Sequence, residues 1–363
     1  MSKQDPYNRL VEAIDNVATG MPRFFGLEKL SLKRVFSAED AEVYADMIPR
    51  RLQTPAEFAE KNEVSEKWAE NKLYDMSKRG LIFRGNDPSG AEGAYTYCQF
   101  PLAFGLIEFQ LANPDKMAIK LFGAYAGLSK FGDGLGSSMP MYRSIPFRKE
   151  LAVDNQVLAY DDVEALLQRH DRFAVTKCMC RELAPSKDCD HPKETCIMTD
   201  DMADFYVENG WGRNISRDVA YEILIAGESD GRVIQVNNSK NAENICSCCS
   251  CGCKMVKIAG RFSKDRVSGA RWSNYTVSIV EPEACNGCGA CETACSWGIV
   301  KVMDNQVLLP DDLFGCMGCG ACVAQCQTGA IKLAMKPGNS IYEPPDTIQD
   351  AHEKWHDIKV NRL

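Results

Sequence analysis

Apolar and polar positions alternate at helical spacing from the first residues. The opening MSKQDPYNRLVEAIDNV predicts an amphipathic helix and lacks the continuous apolar stretch of a secretory signal. Between residues 50 and 100 the signals follow one another closely. Thr54-Pro55-Ala56-Glu57 combines a capping box with proline at the first helical position, so a helix starts there. Asn62-Glu63-Val64 reads as a turn, and Ser65 as the cap of a second helix. Its inward face is expected to carry Trp68, Ala69, Leu73 and Met76. Gly80 ends it, Leu81-Ile82-Phe83 opens a strand, residues 85–90 make a turn-rich tip, and residues 94–100 return as a strand. Helix, turn, helix and wing predict a winged-helix-like N-terminal region.

Further along, residues 101–150 are apolar and then glycine-rich. Gly132-x-Gly134-x-Gly136 lacks the full spacing of a dinucleotide fingerprint and has no clear strand before it, so a loop is expected. Residues 161–170 and 216–226 read as short helices, the second capped by Ser216 with Val219, Ala220, Ile223 and Leu224 facing inward, and residues 232–236 as a strand. Beyond Met335 the chain is polar with Pro337, Pro344 and Pro345, and reads as a tail over another domain or a partner. The expected fold class is α+β, in four parts. These are a winged-helix-like region with the glycine-rich segment (1–150), a cysteine-rich α/β middle domain (151–270), a C-terminal domain (271–336) and the tail (337–363).

Charge separates these parts. Residues 1–150 hold 20 Lys+Arg against 20 Asp+Glu, so the net charge of −8 belongs to the rest of the chain. An acidic second half argues against nucleic-acid binding there and suits docking to a basic patch on a redox partner. The second predicted helix carries Lys67, Lys72, Lys78 and Arg79 against Glu66, Glu70 and Asp75, too little excess positive charge to neutralise several phosphates. No run of eighteen apolar residues suggests a membrane span, there is no Walker A sequence, and a cytoplasmic location is expected.

The 18 cysteines decide the chemistry. All but Cys98 lie between Cys178 and Cys326, and neighbours such as Cys248 and Cys249 suit a shared metal centre better than disulfides. One run occurs twice: Cys285-x2-Cys288-x2-Cys291-x3-Cys295 and Cys316-x2-Cys319-x2-Cys322-x3-Cys326. A loop with a cysteine every third residue supplies three thiolates to a cubane, and the fourth cysteine, expected at a helix start, ligates the other cluster. Cys285, Cys288, Cys291 and Cys326 are therefore expected to hold one [4Fe–4S] cluster, and Cys316, Cys319, Cys322 and Cys295 a second. Gly287, Gly289, Gly318 and Gly320 allow the backbone to curl around them.

This portion resembles the bacterial-type ferredoxins that carry two [4Fe–4S] clusters. The resemblance implies paired short hairpins and helices with pseudo-two-fold symmetry, and electron transfer as the activity. It departs from that family where proline usually follows each fourth cysteine: Ser296 and Gln327 stand there.

Nine more cysteines lie upstream. Cys178-x-Cys180-Arg181, Cys189-Asp190-His191-Pro192 and Cys196 suffice for a third cluster. Arg181 either donates hydrogen bonds to cluster sulfur or forms an ordinary ion pair, and His191 is either a ligand or a loop cap. Cys246, Cys248, Cys249, Cys251 and Cys253 place five thiols in eight residues, one more than a single cubane takes, so three or four clusters in all are expected, with zinc as the other reading of the central thiols. The helix-turn-helix-like start together with these segments is similar to a group of multi-cluster iron–sulfur proteins in which such a front half precedes a ferredoxin module. The resemblance implies iron–sulfur ligation and no particular substrate.

The expected role is an electron-transfer protein, a subunit or redox partner of an anaerobic oxidoreductase, with an oligomer allowed. Two other functions fit the same residues: a redox-sensing winged-helix regulator, and an enzyme reducing a small molecule at a central cluster. Neither an acid–base pair nor a flavin or nicotinamide fingerprint marks a catalytic site.

Overall fold

The computed structural model describes residues 4–18, 20–89, 93–101, 105–110, 116–128, 139–147, 158–183, 189–253, 273–311, 313 and 316–361. The Gly132-x-Gly134-x-Gly136 segment lies outside them. The chain divides into two units. One comprises residues 1–135, 207–211 and 349–363, and the other residues 136–206 and 212–348.

The first unit is helical with one small hairpin. Helices α1 (Pro6–Asp15), α2 (Leu27–Leu32) and α3 (Ala38–Asp46) precede α4 (Pro55–Asn62) and α5 (Glu66–Lys78), followed by α6 (Ile107–Phe109) and α7 (Lys116–Leu128). The capping box of α4 forms in both directions between Thr54 and Glu57, and Ser65 accepts from the Trp68 amide to cap α5. Ala69, Leu73 and Met76 are buried as their spacing requires, but Trp68 is 37% exposed, on the solvent edge of the helix. Strands β1 (Phe83–Asn86) and β2 (Tyr95–Cys98) pair antiparallel, so Gly85 and Asn86, expected in the turn, extend the ladder instead. Arg84 leaves this hairpin to lie between the rings of Tyr74 and Tyr95, 4.9 Å from each centroid, and donates to Glu208 at 2.6 Å. The lone Cys98 is buried.

All four cations of α5 and its cap are engaged within this unit. Lys67 pairs with Glu70 at 2.9 Å, and Lys72 with Glu39 at 2.5 Å and Asp40 at 3.0 Å. Arg79 pairs with Asp40 at 2.8 Å, and Lys78 donates to the Glu208 carbonyl. The chain end, read from its prolines as a tail, contains the helix Ile348–Val360. Its His352 meets Phe100 edge to face at 5.8 Å, and its Lys359 pairs with Asp15 at 2.6 Å.

The second unit contains a six-stranded sheet in the order β3 (Tyr142–Ser144), β7 (Val233–Asn237), β8 (Asn244–Cys248), β5 (Glu194–Thr199), β4 (Phe173–Lys177) and β6 (Gly212–Ile215). Every pairing is antiparallel, an α+β arrangement where the sequence suggested an α/β domain. Helices α8 (Val163–Gln168), α9 (Met179–Leu183), α10 (Asp200–Glu208) and α11 (Arg217–Ser229) lie between these strands in sequence. From them Val163, Leu166, Leu167, Ala220 and Leu224 join Phe173, Ile197, Ile234, Val236 and Ile245 in one apolar core. Each of the larger aliphatic and aromatic side chains among them contributes about 2 kcal/mol.

The same unit carries the duplicated cysteine run. Strands β9 (Tyr275–Ile279) and β12 (Ile331–Met335) pair antiparallel across the ends of this segment, and β10 (Lys301–Met303) pairs with β11 (Gln306–Leu308) within it. Helices α12 (Ala290–Ala294) and α13 (Ala321–Ala324) hold the segment's third cysteines, Cys291 and Cys322. The core beneath them is Tyr275, Val277, Val300, Val307, Val323, Ile331 and Leu333.

Candidate metal centres

The three-residue spacing of the duplicated runs is produced by left-handed glycines. Gly287, Gly289, Gly318 and Gly320 all have positive φ, between 52° and 76°. At Gly318 the requirement is also steric, since a Cβ there would stand 2.1 Å from the Tyr275 carbonyl oxygen. Gly289 and Gly320 then start α12 and α13, which last about one turn. The fourth cysteines were expected at helix starts. Instead, Cys295 follows the last residue of α12 and Cys326 lies two residues beyond α13, because each helix begins at the glycine preceding the third cysteine.

This geometry draws Cys295 across to the other run. A small apolar pocket is lined by Cys295, Cys316, Cys319 and Cys322, with Val277, Trp297, Ile299 and Leu333 around them. Backbone N–H groups aim at its sulfurs: Val277 donates to Cys316 Sγ at 3.4 Å and Ile299 to Cys295 Sγ at 3.3 Å. Around Cys326, burial raises the thiol pKa. The amide of Ile331, the Thr328 hydroxyl and the amides of Ala330 and Gly329 outweigh it, and hold the thiol below its ordinary value. Cys288 is exposed, whereas Cys291 and Cys322 are buried. Four sulfurs, inward N–H donors and an apolar wall suit a thiolate-held cubane, whose sulfurs accept such bonds.

The central cysteines converge because of strand direction. Antiparallel pairing brings the end of β4, the start of β5 and the end of β8 to one end of the sheet. Cys178 follows β4, Cys196 lies early in β5, and Cys246 and Cys248 lie on β8, with Cys249, Cys251 and Cys253 in the turn beyond. Cys196 and Cys246 are register partners, their sulfurs 3.7 Å apart. Cys248 is hydrogen-bonded to both Cys246 and Cys253. Within this group Cys246 is driven toward the thiolate by bonds from Cys196 and Cys248, and those two are pushed up in turn.

A second group lies beside the first. The sulfurs of Cys189, Cys249 and Cys251 lie within 4.8 Å of one another, with Cys189 and Cys249 at 3.7 Å. Gly252 makes room here, since a Cβ on it would lie 2.9 Å from Arg181 Cγ, 3.3 Å from Cys249 Sγ and 3.7 Å from Cys189 Sγ.

Arg181, the residue after Cys180, is buried and bonds through Nη2 to the Thr195 hydroxyl and, at 2.8 Å, to the Ser247 carbonyl. It forms no ion pair with a carboxylate among the described residues. No motif in the chain marks a second buried arginine at this site. Arg232, expected only to open a strand, lies within electrostatic reach of Arg181 and Cys249. His191 Nδ1 stands 4.0 Å from Asp230 Oδ2, and its backbone bonds to Cys189.

Residues 284–331 match the family model of a 4Fe–4S dicluster domain. The C-terminal part of the chain is therefore a ferredoxin-like iron–sulfur domain, and its donor set suits two [4Fe–4S] clusters. No curated protein matches the chain, and no solved structure does. Among the described residues no helix is long and apolar enough to cross a membrane.

Proposed function

We propose that the chain is a multi-cluster electron-transfer protein that serves an oxidoreductase as a subunit or redox partner. In this reading Cys285, Cys288, Cys291 and Cys326 hold one cubane, and Cys316, Cys319, Cys322 and Cys295 the second. Of the nine central cysteines, Cys196, Cys246, Cys248 and Cys253 build one further centre and Cys189, Cys249 and Cys251 a second, with Cys178 and Cys180 as additional candidate ligands. The observation that carries the reading is the apolar cavity that gathers Cys295 with Cys316, Cys319 and Cys322, two sequence runs meeting at one four-sulfur site. Each cluster takes or gives one electron, and the protein sets its potential through N–H donors, burial and nearby charge.

The winged-helix-like region has a structural or docking role in this account, and a cytoplasmic, anaerobic setting fits exposed thiolate ligands such as Cys288. DNA recognition is disfavoured because the cations of α5 are already committed to Glu70, Glu39, Asp40 and the Glu208 carbonyl.

The test is anaerobic stopped-flow reduction of the full chain by dithionite, followed by reoxidation with a reversible one-electron dye. Uptake and return of at least two electrons per chain supports the proposal. A chain that takes up none is not an electron carrier.

A further inference from the structure

Among the described residues, two arginines are buried beside the central thiols without enough anionic charge to balance them. Arg181 and Arg232 are each 3% exposed. Among the described residues the Nε and Nη1 atoms of both have no hydrogen-bond partner. Arg232 has one carboxylate at 3.3 Å, that of Asp230, whose side chain is 46% exposed. Arg181 has none among the described residues; its partners are the Thr195 hydroxyl, the Ser247 carbonyl and the Cys178 sulfur. A buried cation with no counter-charge costs several kcal/mol. The groups that face both guanidiniums are sulfurs, Cys249 from each and Cys178 and Cys248 from Arg181. Neutral thiols cannot balance two charges, whereas metal-bound thiolates can.

From this we infer that Cys189, Cys249 and Cys251 hold an anionic iron–sulfur cluster whose counter-ions are Arg181 and Arg232, and that this centre is the highest-potential site of the chain. The inference rests on the electron-transfer reading and adds a direction to it. Reduction adds one negative charge to a cluster, and a nearby desolvated cation favours that state. In the dicluster module, Lys336 is a partly buried cation within electrostatic reach of Cys316. Two guanidiniums at the central site therefore make it the better acceptor. One electron leaves a reduced cubane of the dicluster pair and enters the central cluster, with no bond made or broken. The reductant of that pair is an external one-electron carrier.

A bonded route joins the two regions. Gln325, next to Cys326, donates to the Ser229 carbonyl at the end of α11 at 3.0 Å. The adjoining Asp230 pairs with Arg232, and a Cβ at Gly227 of the same helix would lie 2.3 Å from Ser247 Oγ and 3.4 Å from Arg232 Cζ. The arginines act through the cluster as positioning residues and are not themselves catalytic.

The experiment is an EPR-monitored redox titration of the anaerobic full chain, with iron and zinc counted, for the native protein and for R181Q, R232Q and R181K. In the native protein the highest-potential signal belongs to a centre outside the dicluster pair. Each glutamine variant should weaken that centre's electron affinity at least tenfold, a lowering of ~59 mV for one electron. R181K, which keeps the charge, should stay near the native value, and the dicluster signals should not move. If R181Q loses the central iron and R181K retains it, the counter-ion role is also supported. An unchanged potential in both glutamine variants overturns the inference, as does loss of the iron in R181K as well as R181Q. Zinc in place of iron at the central site also overturns it. In each of these outcomes a dicluster pair that still titrates leaves the electron-transfer reading standing, whereas a silent pair removes that reading first.

Discussion

Cys196 on β5 and Cys246 on β8 are register partners whose sulfurs lie 3.7 Å apart, farther than a disulfide and close enough to share a metal cluster. The pairing of two strands distant in sequence fixes this separation. The site is therefore held by the sheet that positions the rest of the second unit. Replacing either cysteine by serine is expected to remove about four irons per chain, the content of one cubane, while the dicluster EPR signals persist. Iron analysis of C196S and C246S checks this, and an unchanged iron content would separate the pair from any cluster.

Gly318 offers a sharper steric probe. A Cβ there meets the Tyr275 carbonyl oxygen at 2.1 Å, whereas at Gly298, also with positive φ, nothing lies within 4 Å. G298A should carry the backbone cost alone, about 1 kcal/mol. G318A must also displace β9, so it is expected to lose the cluster of Cys316, Cys319, Cys322 and Cys295. Thermal melts with iron counts compare the two variants. Equal behaviour would contradict the close approach of Gly318 to β9.

Among the described residues Cys288 is the exposed cysteine, and the cluster expected at Cys285, Cys288, Cys291 and Cys326 should therefore meet solvent oxidants first. During brief exposure to air, its EPR signal should decay severalfold faster than that of its neighbour in the apolar cavity. Decay of both signals at one rate would contradict this difference in exposure.

In the first unit, Asp40 is buried and held by Arg79 at 2.8 Å, Lys72 at 3.0 Å and the Ser37 amide at 3.0 Å. Burial would raise its pKa, but the bonds from Arg79, Ser37 and Lys72 outweigh that and hold the carboxyl far below the usual range. The folded-state pKa is thus below the unfolded value near 3.9, so the stabilisation is full at neutral pH and is lost as pH falls below about 4. Arg79 is partly exposed, which weakens the pair, so D40N is expected to cost about 2 kcal/mol at pH 7 and clearly less near pH 2, where the unfolded chain is protonated. Denaturant midpoints at the two pH values measure the difference, and an equal cost at both would rule out the ionised carboxylate as its source.

Sequence and structure agree best where the signal is local. The capping box of Thr54 and Glu57, the cap at Ser65 and the curled loops at Gly287 and Gly318 depend on neighbours a few residues away. Long-range features were legible only in part. Nothing in the spacing of Cys178 to Cys196 or Cys246 to Cys253 tells which thiols share a site, since the partition follows from the antiparallel order of β4, β5 and β8. Trp68 has the period of a core position, yet it is partly exposed. Arg232 offered no motif, because its importance comes from burial beside Arg181 and not from its neighbours in sequence. The helix Ile348–Val360 was hidden behind Pro344 and Pro345, which lie before its start and do not interrupt it.

In the electron-transfer reading proposed above, the chain carries four cubane-sized centres, two in the dicluster module and two on the central thiols. Iron and acid-labile sulfide per chain, measured on anaerobically purified protein together with EPR after dithionite reduction, test it most directly. About sixteen irons with matching sulfide are expected. About eight irons, with zinc recovered alongside, would contradict it and confine electron transfer to Cys285–Cys326.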